Sequence, residues 1–113
     1  MKLGIRGDSL NKGVNYNLEK EIVEEIYEIS KKYPGIKKIV LFGSRARGDN
    51  SPKSDIDLAV YSNSTLVDFI DDIENNTSTL LEFDFSNMNI IEDELFIQQV
   101  KREGIIIYEK YWF

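Results

Sequence analysis

Four consecutive apolar residues, Ile39-Val40-Leu41-Phe42, run directly into Gly43-Ser44, and ten residues later the chain reads Asp55-Ile56-Asp57-Leu58-Ala59-Val60. The first run has no polar face, so it reads as a strand covered on both sides of a sheet. The second alternates, with Ile56, Leu58 and Val60 on one face and Asp55, Asp57 and Ala59 on the other. A chain that must satisfy both patterns is restricted to a sheet backed by helices, with an acidic face on one strand.

The remaining periodicities supply those helices. Leu18, Ile22, Val23, Ile26, Ile29 and Tyr33 form one apolar stripe at helical spacing, which predicts a helix from Asn17, as N-cap, to the stop at Pro34-Gly35. Residues 36–42 are a strand, and residues 43–48 a turn opening a short helix. Residues 65–76 carry a second stripe of Leu66, Phe69, Ile70 and Ile73. Residues 81–86 alternate again, Leu81, Phe83 and Phe85 against Glu82 and Asp84. Residues 92–103 read as a helix burying Leu95, Phe96 and Val100, ended by Gly104, and residues 105–108 as a last strand. The order α-β-α-β-α-β-α-β predicts an α/β (α+β) fold, a small mixed sheet flanked by helices. Residues 1–16, holding three of the seven glycines, are expected to be a flexible arm, and residues 17–113 one domain.

Composition narrows the chemistry. Among 113 residues there is no His and no Cys, which removes Ser-His triads, imidazole bases, thiolate zinc sites and disulfides. Proton abstraction then falls to a carboxylate or a metal-bound hydroxide. A net charge of −6 argues against broad nucleic-acid binding, so no direct nucleic-acid partner is expected. No apolar run is long enough for a membrane span and the first 13 residues lack the apolar core of a secretory signal, so a cytoplasmic location is expected.

Gly43 follows a buried strand and precedes a helix, where outward backbone N–H groups and a glycine's open approach suit a phosphate. Ser44 adds a hydroxyl, and Arg45 and Arg47 add positive charge. A plain strand-to-helix turn with Ser44 as N-cap accounts for the turn equally well when it is taken alone. Gly43 and Gly48 have the spacing of a Walker A loop, but Asp49-Asn50 follows where Lys-Ser/Thr belongs, which excludes that motif. Asp55 and Asp57, about 7 Å apart along one strand face, can hold or flank Mg²⁺ through oxygen ligands. Aspartate is disfavoured in strands, so two on one face call for a reason beyond solvation. Asp84 repeats the design between Phe83 and Phe85 and completes a three-carboxylate site if its strand neighbours that of Asp57; it is preferred to Glu82, which shares its face.

Gly43-Ser44, Asp55-Ile56-Asp57 and a later strand Asp84 resemble the DNA polymerase β-type nucleotidyltransferase superfamily, and the form GSRARG…SDIDLAV resembles its minimal nucleotidyltransferase branch, which includes antitoxins paired with HEPN-domain toxins. The resemblance spans roughly residues 18–108. It implies two Mg²⁺ ions and an NTP donor, with Gly43 and Ser44 on the triphosphate and Arg47 and Ser54 as further contacts. It also implies metal binding by Asp55 and Asp57, and by Asp84 metal binding together with deprotonation of the acceptor hydroxyl. In the antitoxin branch it implies transfer of AMP from ATP to a tyrosine of a partner HEPN ribonuclease. The alternatives are an antibiotic nucleotidyltransferase, which usually carries an extra helical domain that this chain is too short to contain, and an antitoxin that acts by binding alone. Tyr111-Trp112-Phe113 is a candidate partner contact.

Overall fold

The computed structural model describes residues 16–110. The glycine-containing segment read as an arm, up to residue 15, and the aromatic tail at residues 111–113 lie outside the described residues. Eight elements follow in the expected order: α1 Lys20–Lys31, β1 Ile36–Phe42, α2 Ser44–Arg47, β2 Ile56–Ser62, α3 Val67–Asn76, β3 Phe83–Asn87, α4 Glu94–Glu103 and β4 Ile105–Glu109. The sheet order is β3-β2-β1-β4. β1 runs antiparallel to both β2 and β4, while β2 and β3 are parallel, with α3 in the crossover between them.

β1 is covered on both faces because its side chains serve two cores. On one face Ile39 and Leu41 join Ile56, Leu58 and Val60 of β2, Ile22, Ile26 and Ile29 of α1, and Phe69 and Ile73 of α3. On the other face Val40, Phe42, Ala59 and Val100 form a smaller cluster under α4, with Phe96 and Ile106 packed against it. Phe42 and Phe96 meet edge to face, ring centroids 5.4 Å apart at 88°, an arrangement the ring quadrupoles favour. This contact seats α4 over the end of β1, immediately before Gly43.

Three local expectations differ from the structure. Asn17 does not cap α1. Its N–H donates to the Arg45 carbonyl at 2.7 Å and its carbonyl accepts from Arg45 Nη1 at 3.1 Å, so the chain here is tied to α2 and the helix begins three residues later without a side-chain cap. Leu95, expected in the core, is 82% exposed. Phe96 and Val100, four residues apart, point at the sheet, and Leu95 falls about 100° around the helix from Phe96. Gly104 ends α4 in an extended conformation (φ −67°, ψ 141°) rather than a left-handed one. A Cβ at Gly104 would collide with the Val100 carbonyl and the Val40 side chain, so close packing explains the glycine.

Candidate active site

The Gly-Ser turn leaves the end of β1 and passes directly over the acidic face of β2. Phe42 pairs with Asp57 across the sheet, and Gly43 continues in a positive-φ conformation (φ 78°, ψ −157°) open to glycine and strained for other residues. A Cβ at Gly43 would run into the Asp57 carboxylate. Any side chain here would separate the turn from the aspartate. Gly43 is therefore required twice, by the backbone angle and by the approach.

On the other side of β2, the parallel register sets Asp57 directly beside Asp84. Asp55 lies one residue ahead of β2 and is exposed, as is Asp84, while Asp57 is partly buried. Burial pushes the Asp57 carboxyl up to about 6, and the neighbouring Asp84 and Asp55 charges push it the same way, against a smaller pull from Arg47. Glu82 lies before β3, where its carbonyl accepts from the Ile56 N–H at 2.9 Å. The structure thus brings Gly43, Asp57 and Asp84 together, with Asp55 close enough to act on Asp57.

Each phosphate-turn residue has a distinct setting. Ser44 opens α2, with Gly43 rather than Ser44 in the N-cap position and no side-chain cap. Arg45, expected to add charge beside an anion, points elsewhere. It is buried, and its guanidinium donates to the carbonyls of Ser54 (3.0 Å), Asn17 (3.1 Å) and Pro52 (3.1 Å), fixing the loop that leads into β2. Ser54 serves the same loop: its hydroxyl accepts from the Ser51 N–H at 2.9 Å and lies 3.1 Å from the Ser51 hydroxyl. Arg47 is exposed and ion-paired to Asp49 and Glu103, each at 3.0 Å.

Glu103 is the residue that sequence reasoning missed. From the last turn of α4 its Oε1 accepts from the Gly43 N–H at 3.3 Å, Arg47 Nη1 at 3.0 Å and Gln99 Nε2 at 3.4 Å. The only sequence signal was a glutamate at a helix C-terminus, where the dipole disfavours negative charge.

The donor set fits a hard divalent cation, since aspartate oxygens are what Mg²⁺ takes and the raised Asp57 pKa marks negative charge that a cation would relieve. Among the described residues no three acidic side chains are already gathered closely enough to form a ready cation site.

A glycine turn laid against paired aspartates on a mixed sheet is the arrangement of a nucleotidyltransferase. The chain belongs to the family described as polymerase beta, nucleotidyltransferase, whose model matches residues 24–111. A relative from Methanocaldococcus jannaschii, named as a protein adenylyltransferase, is 38% identical over 102 residues, covering 81% of this chain and 99% of that one. Two solved structures share the fold. A toxin–antitoxin with AMP-PNP is 21% identical with a TM-score of 0.60, and a mutant of the toxin–antitoxin MntA–HpeT is 19% identical with a TM-score of 0.59; each match covers 78% of this chain and 73% of that one. No described helix is long and apolar enough to cross a membrane.

Proposed function

We propose that this chain is a Mg²⁺-dependent protein adenylyltransferase that moves AMP from ATP to a tyrosine hydroxyl of a partner HEPN-type ribonuclease toxin, and so acts as an antitoxin in the cytoplasm. The observation that carries the reading is the close approach of the Gly43 turn to Asp57, with Asp84 beside it in register. The adenylyltransferase name of the Methanocaldococcus relative supports the donor and the protein acceptor. The toxin–antitoxin assignment of the two structural neighbours is in keeping with the partner.

In this reading Gly43 N–H, Ser44 Oγ and Arg47 bind the triphosphate, with Ser54, in the loop leading into β2, as a further contact. Asp55, Asp57 and Asp84 hold two Mg²⁺ ions, which when bound neutralise charge developing on the phosphate oxygens. Asp84, exposed at the β3 edge of the sheet, receives the proton of the incoming hydroxyl. The hydroxyl oxygen forms a bond to the α-phosphorus, the bond from that phosphorus to the bridging oxygen breaks, and pyrophosphate leaves with the electron pair. No histidine is needed at any step.

The test is transfer from ATP labelled at the α-phosphate to candidate partner proteins, with γ-labelled ATP as control. Label is expected on a partner tyrosine from the α-position only, and Asp55→Asn or Asp57→Asn should abolish it without unfolding the protein. Undiminished Mg²⁺-dependent transfer by either variant would overturn the site assignment. Toxin silenced with no label incorporated would favour neutralisation by contact.

A further inference from the structure

A carboxylate already sits where the proposed triphosphate would enter. Glu103 is the last residue of α4 and its side chain is 14% exposed. One of its oxygens draws on three donors: the Gly43 N–H, the Arg47 guanidinium and the Gln99 amide. Two of these are donors assigned above to the triphosphate. A backbone N–H carries a single hydrogen, and two anionic oxygens sharing it would repel each other, so Glu103 and a phosphate oxygen compete for Gly43. Arg47, held by Asp49 as well as Glu103, has its charge matched by two carboxylates before any nucleotide arrives.

The position of Glu103 makes it displaceable. A negative charge in the last turn of a helix opposes the macrodipole, and burial adds a desolvation cost, so the three donors offset an otherwise unfavourable placement. A triphosphate brings more charge and more acceptor atoms to the same donors than one carboxylate can. The side chain hangs from a helix end whose backbone is fixed independently by Gly104 N–H donating to the Val100 carbonyl at 2.8 Å, so rotation of the side chain does not require α4 to unfold.

We infer that Glu103 is a built-in competitor for the nucleotide: its carboxylate occupies the Gly43–Arg47 donors in the free protein and must leave them for the triphosphate to bind. The inference rests on the reading of Gly43, Ser44 and Arg47 as the triphosphate cradle. It makes Glu103 a residue that sets nucleotide affinity, and it couples the tip of α4 to the state of the site. The contrary role, a support that holds Arg47 ready for nucleotide, uses the same contacts and predicts the opposite sign.

ATP binding in the presence of Mg²⁺, measured by calorimetry on the full chain, separates the two. Replacing Glu103 by glutamine keeps the volume and removes the charge, so E103Q should bind ATP about fivefold tighter or more, and its KM for ATP should fall with kcat little changed. S44A should bind about tenfold weaker or worse, having lost a hydrogen bond to a charged group. Unchanged or weaker binding by E103Q, with S44A impaired, would overturn the competitor role and leave the cradle standing. No ATP binding by the wild type or any variant, or full affinity in S44A, would overturn the cradle and the inference with it. Should E103Q fail to fold, the Gly43 amide in the wild-type protein gives a second reading by NMR. On addition of MgATP, Glu103 side-chain resonances must shift with the Gly43 amide, and Glu103 signals that stay in place would overturn the proposal.

Discussion

At the residue scale, Asp57 is placed at a cost to the fold. Its carboxyl is partly buried between Asp55, Asp84 and the Gly43 turn, and those surroundings raise its pKa to about 6 from an ordinary 3.8. The folded state therefore holds a proton there more readily than the unfolded chain does. Between pH 3.8 and about 6, stability falls as pH rises through this group, and above that window the ionised Asp57 opposes folding. Asp57→Asn, which abolishes transfer in the proposed mechanism, is expected to raise the thermal midpoint at pH 7 in the presence of chelator. The gain should shrink toward zero below pH 4, where both side chains are neutral. A midpoint at pH 7 equal to or below that of the wild type would show that the site does not oppose folding in this way.

At the scale of elements, one carboxylate ties the end of α1 to α3. Asp72 of α3 accepts from the Tyr33 hydroxyl at 2.8 Å and pairs with Lys32 Nζ at 2.8 Å. The hydrogen bond from Lys32 lowers its pKa to about 2, with further contributions from Tyr33 and Asn76. This group is depressed on folding, so its contribution is present above the ordinary 3.8 and is lost as pH falls through about 2. Asp72→Asn should cost about 1 kcal/mol at neutral pH, because Lys32 is largely exposed and its attraction is screened. Chemical denaturation at pH 7 and at pH 2 checks this, since the difference between the two proteins should narrow at the lower pH, where Asp72 is about half protonated in the folded state. A difference undiminished at pH 2 would assign the effect to packing. Helix ends elsewhere show the same competition. Asp93 caps α4 through the Leu95 and Phe96 N–H groups at 3.0 and 3.3 Å, whereas Asn17, the equally plausible cap for α1, is drawn away by Arg45.

At the scale of the whole molecule, the sheet joins two cores of unequal size, and the site sits on the side of the smaller one. Ile39 is fully buried in the larger core under α1 and α3, and Val100 is 1% exposed in the smaller one under α4. Both cores share β1, so they are expected to unfold together in one transition. Ile39→Ala should cost about 2–5 kcal/mol, within the range for large-to-small core substitutions. Val100→Ala, a smaller deletion under α4, which covers Phe42 beside Gly43, should cost about 1–2 kcal/mol. Separate transitions for the two variants, followed by circular dichroism and by tyrosine fluorescence, would show that α4 and the site form a unit apart from the main core.

Much of this protein was determined by local sequence alone, because periodicity and turn chemistry act over a few residues. The unbroken apolar run of β1, the alternation of β2 and the stripes of α1 and α3 each state which faces must be covered, and that suffices for the element order and the mixed, helix-backed sheet. Gly43-Ser44 at a strand end and Asp57 on a strand face were legible for the same reason, while Asp55 falls one residue ahead of β2. Asp84 depended on one tertiary fact, that β3 joins β2 in parallel and sets it beside Asp57. Strand pairing is a long-range choice that no local pattern states. Arg45 and Arg47 look interchangeable in sequence, yet one is buried against three carbonyls and the other faces the site, because the direction of each side chain is set by what packs around a four-residue helix. The exposure of Leu95 and the reach of Glu103 into the turn were likewise decided only when α4 docked on Phe42 and brought residue 103 to within hydrogen-bonding distance of residue 43.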